Sequence, residues 1–352
     1  MPAIFCLLLY TLLLPYLCWS FISDLSKRRK LQFYMLSVGL ILFAGLRSED
    51  TFTDTDGYYM HFRNVLDYGN FWEIPKERFE PGYLIFEKFI HKYISHNPAW
   101  LIFIVSCFSI GTVFYLFKKE AKNLWLSSYL FIALYLYIGG FVCPVRQSLA
   151  ASLCIWSFFA IQNKRIILGA FIIFLATFFH SSAICFLVLL PISYLPLNRK
   201  NIILVIVSSV LAFGALGSII EMLGRGTSSY LEDENMQLGN ILDLIKAISI
   251  LLFAYFFKVK NSSREVIWLA IISGVAAFLS LKLTVLNRVT SYFEIFLIIL
   301  LVNLASSLSR HNRDIVYIGL IVIGFLHLLI IYVYRPEWNR IDSYNTILNS
   351  IL

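Results

Sequence analysis

The chain has 352 residues, 59% of them hydrophobic, 16% aromatic and only 14% charged, with a mean hydropathy of +0.76. Soluble domains carry about 25% charged residues, so a water-soluble globular protein is excluded, and repeated apolar runs near 20 residues read as membrane spans. The net charge of +8 is no sign of nucleic-acid binding, because in a membrane protein basic residues mainly record which loops stay in the cytoplasm.

In chain order, apolar segments fall near 2–22, 31–46, 98–117, 124–140, 144–162, 166–179, 181–195, 202–220, 242–257, 265–281, 289–308 and 315–334. The expected fold is therefore all-α, a polytopic integral membrane protein of about twelve transmembrane helices in a single membrane domain, 1–352. The first segment has no charged region before it and a basic cluster after it, which predicts a retained span and not a cleaved signal peptide. Cys6, Cys18, Cys107, Cys143, Cys154 and Cys185 lack the spacing of a metal site or a disulfide framework and read as small buried residues.

The connecting loops alternate in charge. Lys27–Lys30, Lys118/Lys119/Lys122, Lys164/Arg165, Arg199/Lys200, Lys258/Lys260/Arg264 and Arg310/Arg313 hold 16 of the 29 basic residues. The positive-inside rule puts these loops in the cytoplasm and both termini outside it. Three regions then face outward: a loop of about 47–97, a second of about 221–241 and the tail 335–352. The first contains the longest polar stretch of the chain, Gly45 to Tyr83, with Arg47 and the acids Glu49, Asp50, Asp54, Asp56, Asp67, Glu73, Glu77 and Glu80. Residues 82–94 have helical apolar periodicity, with Glu87, Lys88, His91 and Lys92 on the opposite face, and read as a short interfacial helix.

Ionisable residues in or beside spans are expensive and mark function or pairing. Here they gather toward the outward ends. Arg146 lies on the first turn after Pro144, where a helix N-terminus and a bidentate guanidinium both favour a phosphate. His180 opens another span and has the chemistry of a general acid or base. Lys282 and Arg288 flank an outward turn, Asp243 and Lys246 begin a span, and Glu294 and His327 lie deeper at heights about 3 Å apart, close enough to pair. Asp54-Thr55-Asp56 resembles a metal-binding Asp-X-Asp, though Asp before Gly57 equally suits a turn or cap. There is no phosphate-binding Gly-x-x-x-x-Gly-Lys-Ser/Thr loop and no dinucleotide or zinc-protease motif, so the energy for a reaction is expected to enter with an activated, lipid-linked substrate.

Several stretches in order resemble the EpsG family, Wzy-like polymerases of bacterial exopolysaccharide and O-antigen. They are Gly45-Leu46-Arg47, Asp56 with Tyr58-Tyr59, Glu80-Pro81-Gly82-Tyr83, Val145-Arg146-Gln147-Ser148-Leu149-Ala150, Phe179-His180-Ser181-Ser182-Ala183, and Asn287-Arg288 leading to Tyr292-Phe293. One departure is Thr55, where the family pattern has Gly before the Asp. The resemblance implies a glycosyltransferase in the bacterial cytoplasmic (inner) membrane. It would join undecaprenyl-pyrophosphate-linked repeats into O-antigen, capsule or exopolysaccharide at the outer face, with a flippase and chain-length regulators as partner proteins.

That chemistry needs a basic clamp on the departing pyrophosphate and a base for the acceptor hydroxyl. Arg47, Arg146 and Arg288, with Gln147, are the expected clamp; His180 is the first choice of acid/base, with Asp56 or Glu80 as the alternative. Tyr58, Tyr83 and Trp72 would line a sugar path. No metal or other cofactor is required, because arginines can neutralise the leaving group. The rival readings are a glycosyltransferase using a lipid-monophosphate sugar, an O-antigen ligase-like transferase, and a glycolipid flippase or transporter. A transporter would place its polar residues near the midplane, often in repeated halves.

Overall fold

The computed structural model describes residues 2–65, 79–222, 234–257, 262–283, 286–335, 340 and 344–350. The expected second outward loop, Trp72, and the acids Asp67, Glu73 and Glu77 lie largely or wholly outside these residues. What is described is helical almost throughout. The helices are α1 Ala3–Phe21, α2 Leu25–Gly45, α3 Thr55–Asn64, α4 Pro81–Tyr93, α5 Ala99–Glu120, α6 Leu124–Ala133, α7 Val145–Gln162 and α8 Ile166–Thr177. After these come α9 Leu189–Ile192, α10 Arg199–Met222, α11 Glu234–Phe257, α12 Arg264–Ser280, α13 Asn287–Ser307 and α14 Arg310–Tyr334. Among the described residues the only β feature is an isolated bridge between Arg47 and Thr346.

Local chemistry sets several helix starts. The Asp24 carboxylate accepts from the N–H groups of Ser26 (2.7 Å) and Lys27 (3.0 Å), capping α2. Asn123 caps α6 through the N–H of Leu126 at 3.2 Å, and Pro81 occupies the first turn of α4. Two of the predicted segments are not continuous α-helix. The one expected at 124–140 stops at Ala133, because Tyr135 takes a φ of +70°, and resumes as a π-helix over Tyr137–Val142. The one expected at 181–195 is a 3-10 helix, Ser181–Val188, running into the four-residue α9.

Among the described residues, five helical stretches are long and apolar enough to cross a membrane: Ala3–Phe21, Ala99–Glu120, Gly239–Phe256, Asn287–Ser307 and Arg310–Tyr334. The helices Leu124–Ala133, Ile166–Thr177 and Ser181–Ile192 are apolar but shorter. The core is built around α13, where every side chain from Val289 to Ala305 except Ser291 is buried. A helix buried on all sides must be surrounded by others, and α12 is its most extensive neighbour. By contrast α14 buries only Gly324, Leu328 and Ile331 and leaves Ile315, Ile318, Val322, Ile323 and Ile330 exposed. An apolar face of that size needs a hydrocarbon solvent.

The two ends of the bundle differ. At one end Glu120 accepts from Gln162 Nε2 (2.9 Å) and Ser263 Oγ (3.0 Å), while Asn303 accepts from the N–H of Lys122 (2.8 Å). Lys118 sits over the Phe33 ring at 5.2 Å, and the Arg264 guanidinium and Trp268 indole reach the carbonyls of Ser193 and Leu195. These contacts bring the loops bearing the basic clusters to one end. At the other end lie the start of α1, the end of α14 and the described part of the tail. Phe5 packs edge-on against Tyr332 at 5.4 Å, and the tail crosses the end of α2, where Tyr344 stacks on Phe43 at 4.3 Å. Ile347 N–H bonds the Leu46 carbonyl at 2.9 Å, and Ser48 N–H bonds the Asn345 carbonyl at 3.0 Å.

Two side-chain expectations are corrected. Glu294 does not pair with His327; Lys246 of α11 pairs with Glu294 and, at 2.8 Å, with Asp243, while His327 Nδ1 lies 3.0 Å from the Ala133 carbonyl. The unwound chain after Ala133 frees that carbonyl, and the ammonium is the stronger partner for a carboxylate. On α4 the polar face points inward: Glu87, Lys88 and His91 are buried, whereas Phe89, Tyr93 and Ile94 are exposed. Packing against α3 supplies His61 as the partner of Glu87, and His91 Nδ1 lies 3.2 Å from His96, so three of the four residues that periodicity assigned to water are inside, while Lys92 is exposed as expected.

Candidate active site

Three sequence motifs meet at the carboxylate of Glu80. Glu80 is the residue before α4, and the Pro81-Gly82-Tyr83 turn that follows presses on the chain at Phe178. The Tyr83 N–H donates to the Phe178 carbonyl at 3.2 Å. A Cβ on Gly82 would lie 2.8 Å from that same carbonyl oxygen, so only glycine allows the approach. The closeness delivers Glu80 to the next turn, Phe179-His180-Ser181. Ser181 N–H donates to Glu80 Oε1 at 3.0 Å, and His180 Nδ1 lies 3.2 Å from the same oxygen.

The other carboxylate oxygen of Glu80 accepts from Arg146, on the first turn of α7. Burial by itself would push the Glu80 pKa up, but His180, the Ser181 N–H and the Arg146 charge outweigh it and hold the group down at about 2. Glu80 is therefore an anion fixed among three donors. The guanidinium of Arg146 also lies over the Phe79 ring, 4.3 Å from its centroid, and interacts with the Tyr58 hydroxyl.

A fourth motif joins from α13. Gln147 Nε2 donates to the Arg288 carbonyl at 3.0 Å and to Ser291 Oγ, tying the N-terminus of α7 to that of α13. Ser182 Oγ donates to the Tyr292 hydroxyl at 3.2 Å. The side chain of Arg288 is exposed, with no partner among the described residues. Three nitrogens here are buried without a hydrogen-bond partner among the described residues: Nε of Arg146 and both ring nitrogens of His180, of which Nδ1 faces Glu80 at 3.2 Å outside hydrogen-bond geometry. Unpaired buried polar atoms of this kind are costly and call for a ligand or water. The arrangement thus offers an imidazole held by a carboxylate, a buried guanidinium, a free guanidinium and a hydroxyl pair, all at the end opposite the basic loops.

Not every expected residue joins. Arg47 is 1% exposed and fully used inside the protein: it donates to the carbonyls of Ala44 (2.6 Å) and Val142 (2.8 Å) and to Thr55 Oγ1 (3.2 Å). Its own carbonyl accepts from Tyr59 at 3.1 Å. Thr55 is the one side chain among these three acceptors of Arg47. Asp56 is exposed and accepts from the N–H of Gly57 at 2.8 Å, as a turn residue does. Tyr58 and Tyr83 are buried against Phe79, at ring distances of 6.1 and 5.6 Å, so they support the site and present no face to a sugar. Ser181 and Phe79 are additions. The first acts through a backbone N–H, which no residue type advertises, and the second through a ring whose position only packing sets.

The model of the EpsG family matches residues 30–346. This chain belongs to the EpsG family. It is a family of Wzy-like polymerases, associated with polysaccharide polymerase activity, a glycosyltransferase-type reaction. A search of curated proteins and a search of solved structures find no match. Family membership and the apolar helices together make the chain a polysaccharide polymerase-like membrane protein.

Proposed function

We propose that the chain transfers a growing glycan from undecaprenyl pyrophosphate to the terminal sugar of a second lipid-linked repeat. The reaction would occur at the outer face of the bacterial cytoplasmic membrane. The observation that carries the reading is the convergence of Glu80, Arg146 and His180 from three distant motifs at the end away from the basic loops. The positive-inside rule then makes that end the outer one, with the chain crossing twelve times and both termini outside.

The acceptor hydroxyl attacks the anomeric carbon of the donor glycan. Its oxygen forms the new glycosidic bond, the bond from that carbon to pyrophosphate breaks, and the polyprenyl pyrophosphate departs with the electron pair. His180 Nε2 takes the hydroxyl proton. Glu80 sits behind Nδ1 and orients the ring, the role of the third member in base-activated sites. Glu80 itself is a poor base, being held at about 2 by its donors. Arg288 supplies a free cation for the leaving group, and the open Nε edge of Arg146 supplies a second contact.

The test is gel analysis of surface glycan from a deletion strain complemented with wild type, His180→Ala, Arg146→Ala or Arg288→Ala. Single-repeat glycan in the deletion, long ladders with wild type and their loss in the variants are expected. Normal ladders from all three variants would reject the site. Long chains left unattached in the deletion would reject polymerisation in favour of a ligase-like transfer.

A further inference from the structure

Arg146 rests on Phe79, and Phe79 is held by a layer of side chains that the proposed chemistry does not use. His61 of α3 and Glu87 of α4 face each other, 2.7 Å from Nδ1 to Oε2, with Glu87 fully buried. Burial is the larger effect and leaves the Glu87 pKa raised, although His61 and Tyr83 draw it down. A carboxylate in that position needs its partner, because an unpaired buried charge is strongly destabilising. The same imidazole lies 4.4 Å from the Phe79 ring, and Tyr83, beside Glu87, meets Phe79 edge-on at 5.6 Å and 90°. On Phe79 lies the Arg146 guanidinium at 4.3 Å. The chain of contact therefore runs from Glu87 through His61 and Tyr83 to Phe79, and from Phe79 to Arg146 and the adjoining Glu80.

We propose that His61 and Glu87 are a positioning pair that seats Phe79 and thereby fixes the Arg146 guanidinium and Glu80 for binding the diphosphate leaving group. This rests on the polymerase reading of the site. Neither residue touches the reacting atoms; each acts through the aromatic seat. Joining α3 to α4 across a buried contact makes the outward segment part of the site wall, and it explains why α4 turns its charged face inward.

The test follows Arg146 itself, independently of glycan chemistry. Purified protein is treated with phenylglyoxal and modification of Arg146 is measured by mass spectrometry for wild type, Glu87→Gln, His61→Gln and the exchange His61→Glu with Glu87→His. Wild type should be protected, the two single variants modified several-fold faster, and the exchange restored toward wild type. Phe79→Leu, which keeps the pair and removes the seat, should match the single variants and carries the test if those do not fold. Protection unchanged in the folded variants and in Phe79→Leu would overturn the proposal. So would faster modification in variants that still restore full-length ladders to the deletion strain. If wild type itself fails to restore ladders, the polymerase reading fails, while the reactivity result still judges the seat.

Discussion

Glu80 and Glu120 stand at opposite ends of the same bundle, and each gathers distant segments around one carboxylate. Glu120 accepts from a Gln amide and a Ser hydroxyl, at 2.9 and 3.0 Å, and among the described residues both donors are neutral. Glu80 accepts from a guanidinium and a backbone N–H and faces an imidazole 3.2 Å away whose ring nitrogens are both buried without a hydrogen-bond partner among the described residues. Neutral donors fully engaged make a clasp that needs nothing further. A cation and a titratable ring with an open nitrogen make a site that is still waiting for something to bind.

The difference between the two carboxylates rests most on His180. His180→Ala should lower polymerisation by about 100-fold or more, the usual worth of a positioned general base, read as loss of long ladders at normal protein abundance. Glu80→Gln should cost about 10-fold, because the ring keeps its place but loses its anionic partner.

Glu80 also predicts a pH signature. Its pKa falls from 4.5 to about 2 on folding, so its contribution to stability is present above the unfolded value and lost as pH drops through the folded one. The gap in melting temperature between wild type and Glu80→Gln should be constant from pH 7 to pH 5. It should begin to close below 4.5 and vanish near 2.

Arg47→Ala separates structure from chemistry at the site end itself. It leaves two buried carbonyls and Thr55 without their donor and should destabilise by about 2–4 kcal/mol. The expected readout is low abundance, with the surviving protein still polymerising. At the basic end, Glu120→Gln should cost about 1 kcal/mol of stability and leave ladder length unchanged. Asp56→Asn should be the mildest, within about two-fold of wild-type activity, because Asp56 is an exposed first-turn residue of α3 whose bond to the Gly57 N–H an Asn oxygen can keep.

Arginine makes plain why only part of the site was legible beforehand. Arg47 and Arg146 carry the same charge and lie in motifs of equal prominence, so residue type alone assigns both to a phosphate. The fold separates them. Arg47 follows the end of α2, where free carbonyls of its own helix and of the π segment lie within reach. Arg146 meets a carboxylate and an aromatic ring. Glu87 gives the same lesson in reverse: helical periodicity assigns it to water, and α3 takes it into the interior by supplying His61.

The sequence by itself determined the helical membrane architecture, because few charges and repeated apolar runs leave the backbone no alternative to helices in hydrocarbon. It also determined the family, through motifs whose order survives in the chain. Only the tertiary structure decided which polar residues work together. Helices well separated in sequence, α4, α7 and α13, bring their N-terminal ends together. Distance and burial, which no linear pattern encodes, then chose Glu80, Arg146 and His180 as neighbours.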